Sequence, residues 1–382
     1  MFRSIRPKSV VAAALIFCLC LPCVLAGCTP APSGGTDETS TESPVPAGTN
    51  GSATWSGETF EDTHFALDTV CSVRVYDADD EPVIAECFDL IDTLESELSR
   101  TVDGSDVWRI NHAYDDLDEA YDYAYTQVSS DTTYLIEIAQ ALSEASDGAY
   151  DITIAPASVL WDFSSGEGQV PDAEALAEAV SHVDYRQITT SILTTPDGDG
   201  ETWEVSLEDP QAAIDLGSIA KGYIADRVCA LLRERGVENA LVNLGGNISV
   251  IGAKPDGSGY SIGIQKPFSD HSDYLGYSVI SDLSAVTTGI YERCFEEDGV
   301  LYHHILDPRT GYPYQNGLVS VTVFGPAAAY CDGLSTACFC SGLEGGMSLL
   351  EKYDGYYAVF VDEEGELHFS EGFEEAIGYT PR

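Results

Sequence analysis

Apolar and polar residues alternate between Phe60 and Tyr76, through Thr63-His-Phe-Ala-Leu67 and Val70-Cys-Ser-Val-Arg-Val-Tyr76, and this period predicts strand. From Asp80 to Arg100 the period lengthens. Val83, Ile84, Phe88, Ile91, Leu94 and Leu98 share one stripe, so a helix is expected. A second helix is expected from Asp131 to Ala145, with Tyr134, Leu135, Ile138 and Leu142 inward, and a short Ala-rich one from Pro171 to His182. Trp203–Leu207 returns to strand. Next comes a helix running through Ile224, Val228, Leu231 and Leu232, with Ser218 as its N-cap and Gly236 at C′. Strands are expected at Ala240–Leu244 and Ile248–Ile251, joined by Gly245-Gly246. Others follow at Tyr260–Ile264, Tyr277–Ile280, Tyr302–Leu306 and Leu318–Phe324. A helix from Ala327 to Cys340 precedes a last hairpin turning at Glu363–Glu366. Strands grouped with separate helices predict an α+β body.

The first residues carry no such pattern. Arg3, Arg6 and Lys8 precede the apolar run Val10–Leu21, which is too short to span a bilayer and reads as a signal-peptide core. Leu25-Ala26-Gly27-Cys28 closes it with small residues before a cysteine, as a lipoprotein signal peptidase requires. Residues 1–27 are therefore expected to be a lipoprotein signal, with lipid on Cys28. Thr29 to Gly57 is Pro, Gly, Ser and Thr with few apolar residues, a flexible tether rather than a fold. Residues 58–382 form the body. The expected location is the extracytoplasmic face of a bacterial cell membrane, held by lipid alone.

Charge narrows the partners. The formal charge is −47, and the signal would take three positive charges away with it. Such a chain repels nucleic acid and anionic headgroups, so nucleic-acid binding is excluded. A phosphate-bearing ligand would need a cation or a local basic group, which draws attention to Lys221, Arg293 and Arg309. Seven cysteines follow Cys28, an odd number, so at least one free thiol is expected. No C-x-x-C pair occurs among them, and Cys331, Cys338 and Cys340 read as small buried residues of a helix.

Five segments concentrate polar chemistry. Val300–Tyr312 enters as strand and breaks at Asp307-Pro308, presenting His304, Asp307, Arg309 and Thr310. Gly148–Pro156 is expected to end a helix and start a strand, with Asp151 and Thr153 on one face. Ile214–Gly222 sets Asp215 and Lys221 about a helix N-terminus, where backbone N–H groups attract phosphate oxygens. Ala285–Arg293 ends a strand at Thr288 and Gly289. Asp332 and Thr336 lie one helical turn apart, oxygens on the same side, and such a pair suits a hard cation. Each segment alone equally fits an ordinary turn, cap or hairpin.

Taken in order, the segments resemble the ApbE family of FAD:protein FMN transferases. The matching strings are Gly148-Ala-Tyr-Asp-Ile-Thr153 with Trp161-Asp-Phe163, Ile214-Asp-Leu-Gly-Ser-Ile-Ala-Lys-Gly-Tyr223 with Asp226, and Ala240-Leu-Val-Asn-Leu-Gly-Gly-Asn247. Thr287-Thr-Gly289, His304-Ile-Leu-Asp-Pro-Arg-Thr-Gly311 and Asp332-Gly-Leu-Ser-Thr336 complete the set. The resemblance implies a T-fold-like flavin transferase body that binds FAD as substrate with Mg²⁺. It implies metal ligands at Ser218, Asp332 and Thr336. It implies FAD contacts at Leu67, Ala149, Tyr150, Asp151, Asp215, Lys221, Thr288, His304 and Ile305. Two positions depart from the family pattern. Leu67-Asp68-Thr69 stands where Met-Gly-Thr is common, and Asn247 stands where Asp is frequent.

The activity so implied is Mg²⁺-dependent transfer of FMN from FAD to a threonine hydroxyl of an acceptor flavoprotein, releasing AMP. His304 is the expected base, since an ordinary imidazole titrates near 6.5, with Asp307 either holding the ring or shaping the turn. A Mg²⁺-dependent FAD pyrophosphatase and a non-enzymatic FAD-binding lipoprotein are the alternatives.

Overall fold

The computed structural model describes residues 57–115, 124–163, 168–194, 200–269 and 273–382. The signal, Cys28 and nearly all of the tether lie outside the described residues. The chain opens with β1 (Phe60–Ala66), β2 (Thr69–Val75), α1 (Val83–Leu98), α2 (Asp106–Asn111), β3 (Thr126–Val128), α3 (Ser130–Ala145), α4 (Ala155–Ser158) and α5 (Ala173–Ser181). It continues through β4 (Ile188–Thr194), β5 (Glu201–Leu207), α6 (Ala220–Glu234), β6 (Ala240–Leu244), β7 (Asn247–Ile251), β8 (Tyr260–Gln265), β9 (Tyr274–Ile280) and β10 (Ser284–Gly289). It ends with β11 (Cys294–Glu297), β12 (Val300–His303), β13 (Leu318–Gly325), α7 (Ala328–Leu350), β14 (Tyr357–Asp362), β15 (Leu367–Phe369), α8 (Phe373–Ala376) and β16 (Thr380–Pro381).

Among the described residues, eight strands build one antiparallel sheet in the order β1-β2-β6-β7-β10-β13-β14-β15. Helices α1, α6 and α7 cover one face. The stripe of α1 explains why: Val83, Ile84, Cys87, Ile91, Leu94 and Leu98 are all buried. The β16-β9-β8 sheet covers the other face, where Tyr260, Ile262 and Ile280 meet Val250, Phe324 and Val359. Central strand β13 is therefore buried along its whole length. The described residues from 57 onward form one compact unit.

Most expected elements are present, with differences of local origin. Tyr134 was expected inward, yet it is half-exposed while Ile136 is fully buried in its place. The Tyr134 ring instead lies against Tyr223, 5.9 Å away. No strand follows Gly148. Asp151 accepts from the Thr153 N–H and hydroxyl at 2.8 and 2.6 Å, and this turn takes the place of extended backbone. Helix α6 starts at Ala220 with Ile219 at its N-cap, so Ser218 is not the cap. Gly236 does take the left-handed C′ position, at φ +88°. Strand β12 ends at His303, earlier than expected, because the His304 N–H turns to the Arg293 carbonyl. The helix after β13 runs on to Leu350 across a kink at Gly342.

Candidate active site

The Leu67-Asp68 and Gly245-Gly246 turns stand side by side: a Cβ on Gly245 would meet the Thr69 side chain at 2.5 Å. Leu67 and Asp68 both adopt left-handed backbone, at φ +56° and +57°, so Asp68 holds by itself a conformation that favours glycine. The Leu67 N–H is tied to Glu95 Oε1 at 2.9 Å. Asp68 reaches Arg293 at 3.7 Å, which brings this turn beside the segment carrying His304.

Two helix starts form the floor. In α6 the N–H of Gly222 is one of the donors that a helix leaves unpaired, and Asp332 Oδ2 of α7 accepts it at 2.8 Å. In return Asp226 of α6 accepts from Ala328 and Ala329, the first residues of α7, at 2.8 and 2.9 Å. The helices thus run antiparallel with their N-terminal turns overlapped. Gly222 permits the approach, since a Cβ there would lie 2.2 Å from the Ala328 carbonyl oxygen. Burial pushes the Asp332 carboxyl up, while Lys221, the Gly222 N–H and Asn247 pull it back. Burial also raises Asp226, to about 6, against its two N–H bonds.

Several hydroxyls lie on neighbouring turns, two of them against the Asp332 backbone carbonyl. Tyr150, almost fully buried, shares a hydrogen bond of 2.9 Å with Ser218 Oγ, and burial lifts its phenol well above the usual range. Thr288 Oγ1 lies 2.7 Å from Ser335 Oγ and 3.0 Å from Thr336 Oγ1. Asn247 Nδ2 is buried with no hydrogen-bond partner, although its amide lies close enough to Asp332 to favour the ionised carboxyl. Among the described residues no group of three or more His, Cys, Asp or Glu side chains is placed to hold a metal ion; the donors here are the Asp332 carboxylate and hydroxyl oxygens. One carboxylate with hydroxyls is a partial set for a hard cation that keeps waters and takes phosphate oxygens. Asp332 and Thr336, with the Ser218 hydroxyl tied to Tyr150, offer oxygen donors of the kind Mg²⁺ takes.

His304 is tied to this group through Lys221, whose charge acts on both His304 and Asp332. Its Nδ1 and its backbone N–H both meet the Arg293 carbonyl, at 3.2 and 3.1 Å. A carbonyl only accepts, so the ring proton sits on Nδ1 and Nε2 keeps its lone pair. Burial lowers the imidazole to about 3, and His303, Arg293 and Lys221 push the same way. These influences favour the neutral ring.

The turn behind His304 is scaffold. Asp307 accepts from the Arg309 N–H, Nε and Nη2, and its own N–H donates to the Tyr312 carbonyl at 2.8 Å. Asp307 shapes the turn; the Arg293 carbonyl, rather than Asp307, holds the imidazole. Trp161 Nε1 donates to the Gly311 carbonyl at 2.8 Å, and the Tyr314 hydroxyl to the Ala149 carbonyl at 2.8 Å. These bonds join the 149–161 segment to the turn. Ile305 is buried behind the imidazole. An open cavity of about 470 Å³ lies on the Arg309 side, lined by Thr310, Asn316 and Ser341 among others; none of His304, Lys221 or Asp332 lines it.

Of the residues singled out from the sequence, Tyr150, Ser218, Lys221, Thr288, His304, Asp332 and Thr336 are linked by these contacts and charges. Asp151 spends its oxygens on Thr153 and on the Tyr185 N–H. Asp215 pairs with Arg100 at 2.8 Å and accepts from the Gly217 N–H. Arg100, Tyr314 and Ser335 carry parts of the arrangement that sequence patterning did not single out. Tyr314 lies two residues past the Val300–Tyr312 run and Ser335 inside the Asp332–Thr336 string, but patterning gives neither a role there; Arg100 carries no signal of its own. All seven described cysteines are free, and only Cys294 among them is exposed.

This mixed helix and sheet fold is that of the ApbE flavin transferases. The flavin transferase ApbE from Vibrio cholerae is similar with a TM-score of 0.71 and 27% identity, over 84% of this chain and 99% of that one. The ApbE protein from Thermotoga maritima is similar with a TM-score of 0.71 and 32% identity, over the same shares. A FAD:protein FMN transferase from Klebsiella pneumoniae (strain 342) is 38% identical over 76% of this chain and 85% of its own length. One from Treponema pallidum (strain Nichols) is 33% identical over 81% and 86%. The chain belongs to the ApbE family, whose model matches residues 67–360.

Proposed function

We propose that the protein transfers the FMN moiety of FAD to a threonine hydroxyl of an acceptor flavoprotein and releases AMP. The reading is carried by His304, whose Nδ1 is bound to the Arg293 carbonyl so that Nε2 keeps its lone pair, and by Lys221, which acts electrostatically on both His304 and Asp332 in a member of this family. The relatives from Klebsiella and Treponema bear the name of this activity, which supports it.

The residues divide the work. Lys221 offers positive charge to a diphosphate in a chain of net charge −47. His304 Nε2 takes the proton from the attacking threonine as its oxygen bonds to the FMN phosphorus. The bond from that phosphorus to the bridging oxygen breaks, AMP leaves with the oxygen, and the proton can pass to it. Asp332, Thr336 and Ser218 would hold Mg²⁺, which when bound neutralises charge on the diphosphate and on the departing AMP. Tyr150 fixes the Ser218 hydroxyl by its 2.9 Å bond. Bringing an anion beside His304 raises the imidazole pKa, so the base strengthens as substrate enters.

Purified protein with FAD, Mg²⁺ and a flavoprotein fragment bearing an acceptor threonine should yield a fluorescent protein band and a mass increase of one FMN. AMP release with no covalent flavin on any of several acceptors would replace transfer by hydrolysis.

The body is further proposed to stand on a lipid-modified Cys28 at the extracytoplasmic membrane face. The Leu25–Cys28 motif after an apolar core supports this, and no helix among the described residues is long and apolar enough to cross a membrane. Cys28→Ser should release the protein from the membrane fraction; unchanged membrane retention would remove the assignment.

A further inference from the structure

The hydroxyls of Ser335, Thr288 and Thr336 beside Asp332 form a chain with one hydrogen-bond direction. Ser335 Oγ lies 2.8 Å from the carbonyl oxygen of Asp332 and 2.7 Å from Thr288 Oγ1. Thr288 Oγ1 lies 3.0 Å from Thr336 Oγ1. A carbonyl oxygen cannot donate, so the single Ser335 proton goes to Asp332. Ser335 Oγ is then an acceptor toward Thr288. Thr288, with its proton spent on Ser335, is an acceptor toward Thr336. The Thr336 proton is drawn into the chain, and its remaining lone pair stays outside it. The other outlet for that proton is the Asp332 carbonyl, at 3.4 Å, a poor distance on an oxygen already bonded to Ser335.

We propose that Ser335 is a positioning residue that orients the Thr288–Thr336 hydroxyl pair so that Thr336 turns a lone pair, and not a proton, toward a divalent cation held with Asp332. The inference rests on the cation reading above. Ser335 is fully buried and has no surface to offer a substrate, so its effect passes through Thr288. Without the Ser335 oxygen, Thr288 would donate to Thr336 instead. The Thr336 proton would then face the cation or the distant carbonyl. Such supporting bonds behind a metal ligand typically matter about 10- to 100-fold in affinity.

The test is Mn²⁺ binding to the full chain without FAD, read by the electron paramagnetic resonance of free Mn²⁺. Wild type should bind, and Ser335→Ala should bind at least about tenfold more weakly with little change in melting temperature. Thr288→Val cuts the same chain one link further on and should weaken binding as much. The double variant should be no weaker than Thr288→Val alone, because the two hydroxyls act as one unit. If Ser335→Ala fails to fold, Thr288→Val and Ser335→Thr carry the test, the latter keeping wild-type affinity. Unchanged Mn²⁺ affinity in folded Ser335→Ala, or additive losses in the double variant, overturns the role of Ser335 alone. A wild-type protein that binds no Mn²⁺ overturns the cation reading, and this inference with it.

Discussion

Asp332 Oδ2 accepts the Gly222 N–H at 2.8 Å, so one buried carboxylate of α7 satisfies the start of α6. The bond fixes Oδ2, while Lys221 and the Asn247 amide also favour the ionised carboxyl. Asp332→Asn keeps an oxygen for Gly222 and removes the charge. It should fold with unchanged or raised melting temperature, because a desolvated charge is gone. It should show no Mn²⁺ binding and no flavin transfer. Full transfer by this variant would remove Asp332 from the metal set.

Gly222→Ala tests the helix approach. Its Cβ would stand 2.2 Å from the Ala328 carbonyl, which is backbone and cannot swing aside. Overpacking of this kind costs about 1–3 kcal/mol, and the displaced α7 should carry Asp332 with it. Thermal denaturation and Mn²⁺ titration should both register the loss. A variant with wild-type values for both would show that the helices part without consequence.

The imidazole of His304 sets the pH dependence of the reaction. Burial lowers it to about 3 in the free protein, so the base form is present across neutral and mildly acidic pH. The kcat/KM profile should therefore lack an acid limb near 6.5 from this group. His304→Ala should lower kcat by roughly 10²–10⁴-fold. An acid limb at 6.5 that disappears in the variant would mean that the ring is solvated.

Trp161→Phe separates packing from aim. Phe fills most of the buried space against Phe163, Tyr302 and Tyr312 but loses the bond from Nε1 to the Gly311 carbonyl. The loss of that bond should cost about 1–3 kcal/mol by leaving a buried carbonyl unpaired. The turn behind His304 should loosen, seen as faster amide exchange at residues 309–312 and a lower kcat. Equal exchange in both proteins would make the indole N–H incidental.

Acid stability follows from His303. Its ring is buried, its Nε2 donates to the Tyr314 carbonyl at 3.0 Å, and burial lowers its pKa to about 4. The unfolded chain, at about 6.5, binds more protons between these values. The stability this neutral ring confers is complete above about 6.5 and is lost as pH falls toward 4. His303→Gln keeps a donor for Tyr314 and removes the titration, so its melting temperature should fall less steeply over that window. Parallel curves for the two proteins would place acid sensitivity elsewhere.

Much of the body is set by patterns within single segments. The α1 stripe, the Gly245-Gly246 hairpin and the Gly236 terminus depend on side-chain period and backbone freedom, which neighbours in sequence determine. The oxygens of Asp332 and Thr336 share a helix face for the same reason, since a turn of α-helix places residues four apart together. The ordered strings gave the family. The bonds that make a site of these strings join residues far apart in the chain. Ser218 looked like a helix cap and instead binds Tyr150; Asp215 is held by Arg100; His304 is aimed by a backbone carbonyl that any residue at 293 would supply. A hydrogen bond between distant segments depends on the positions of both backbones, and no local period encodes those. The sequence by itself determined which elements form and which polar residues they carry. Only the tertiary structure decided which of those polar groups spend their bonds on the scaffold and which keep a lone pair for chemistry.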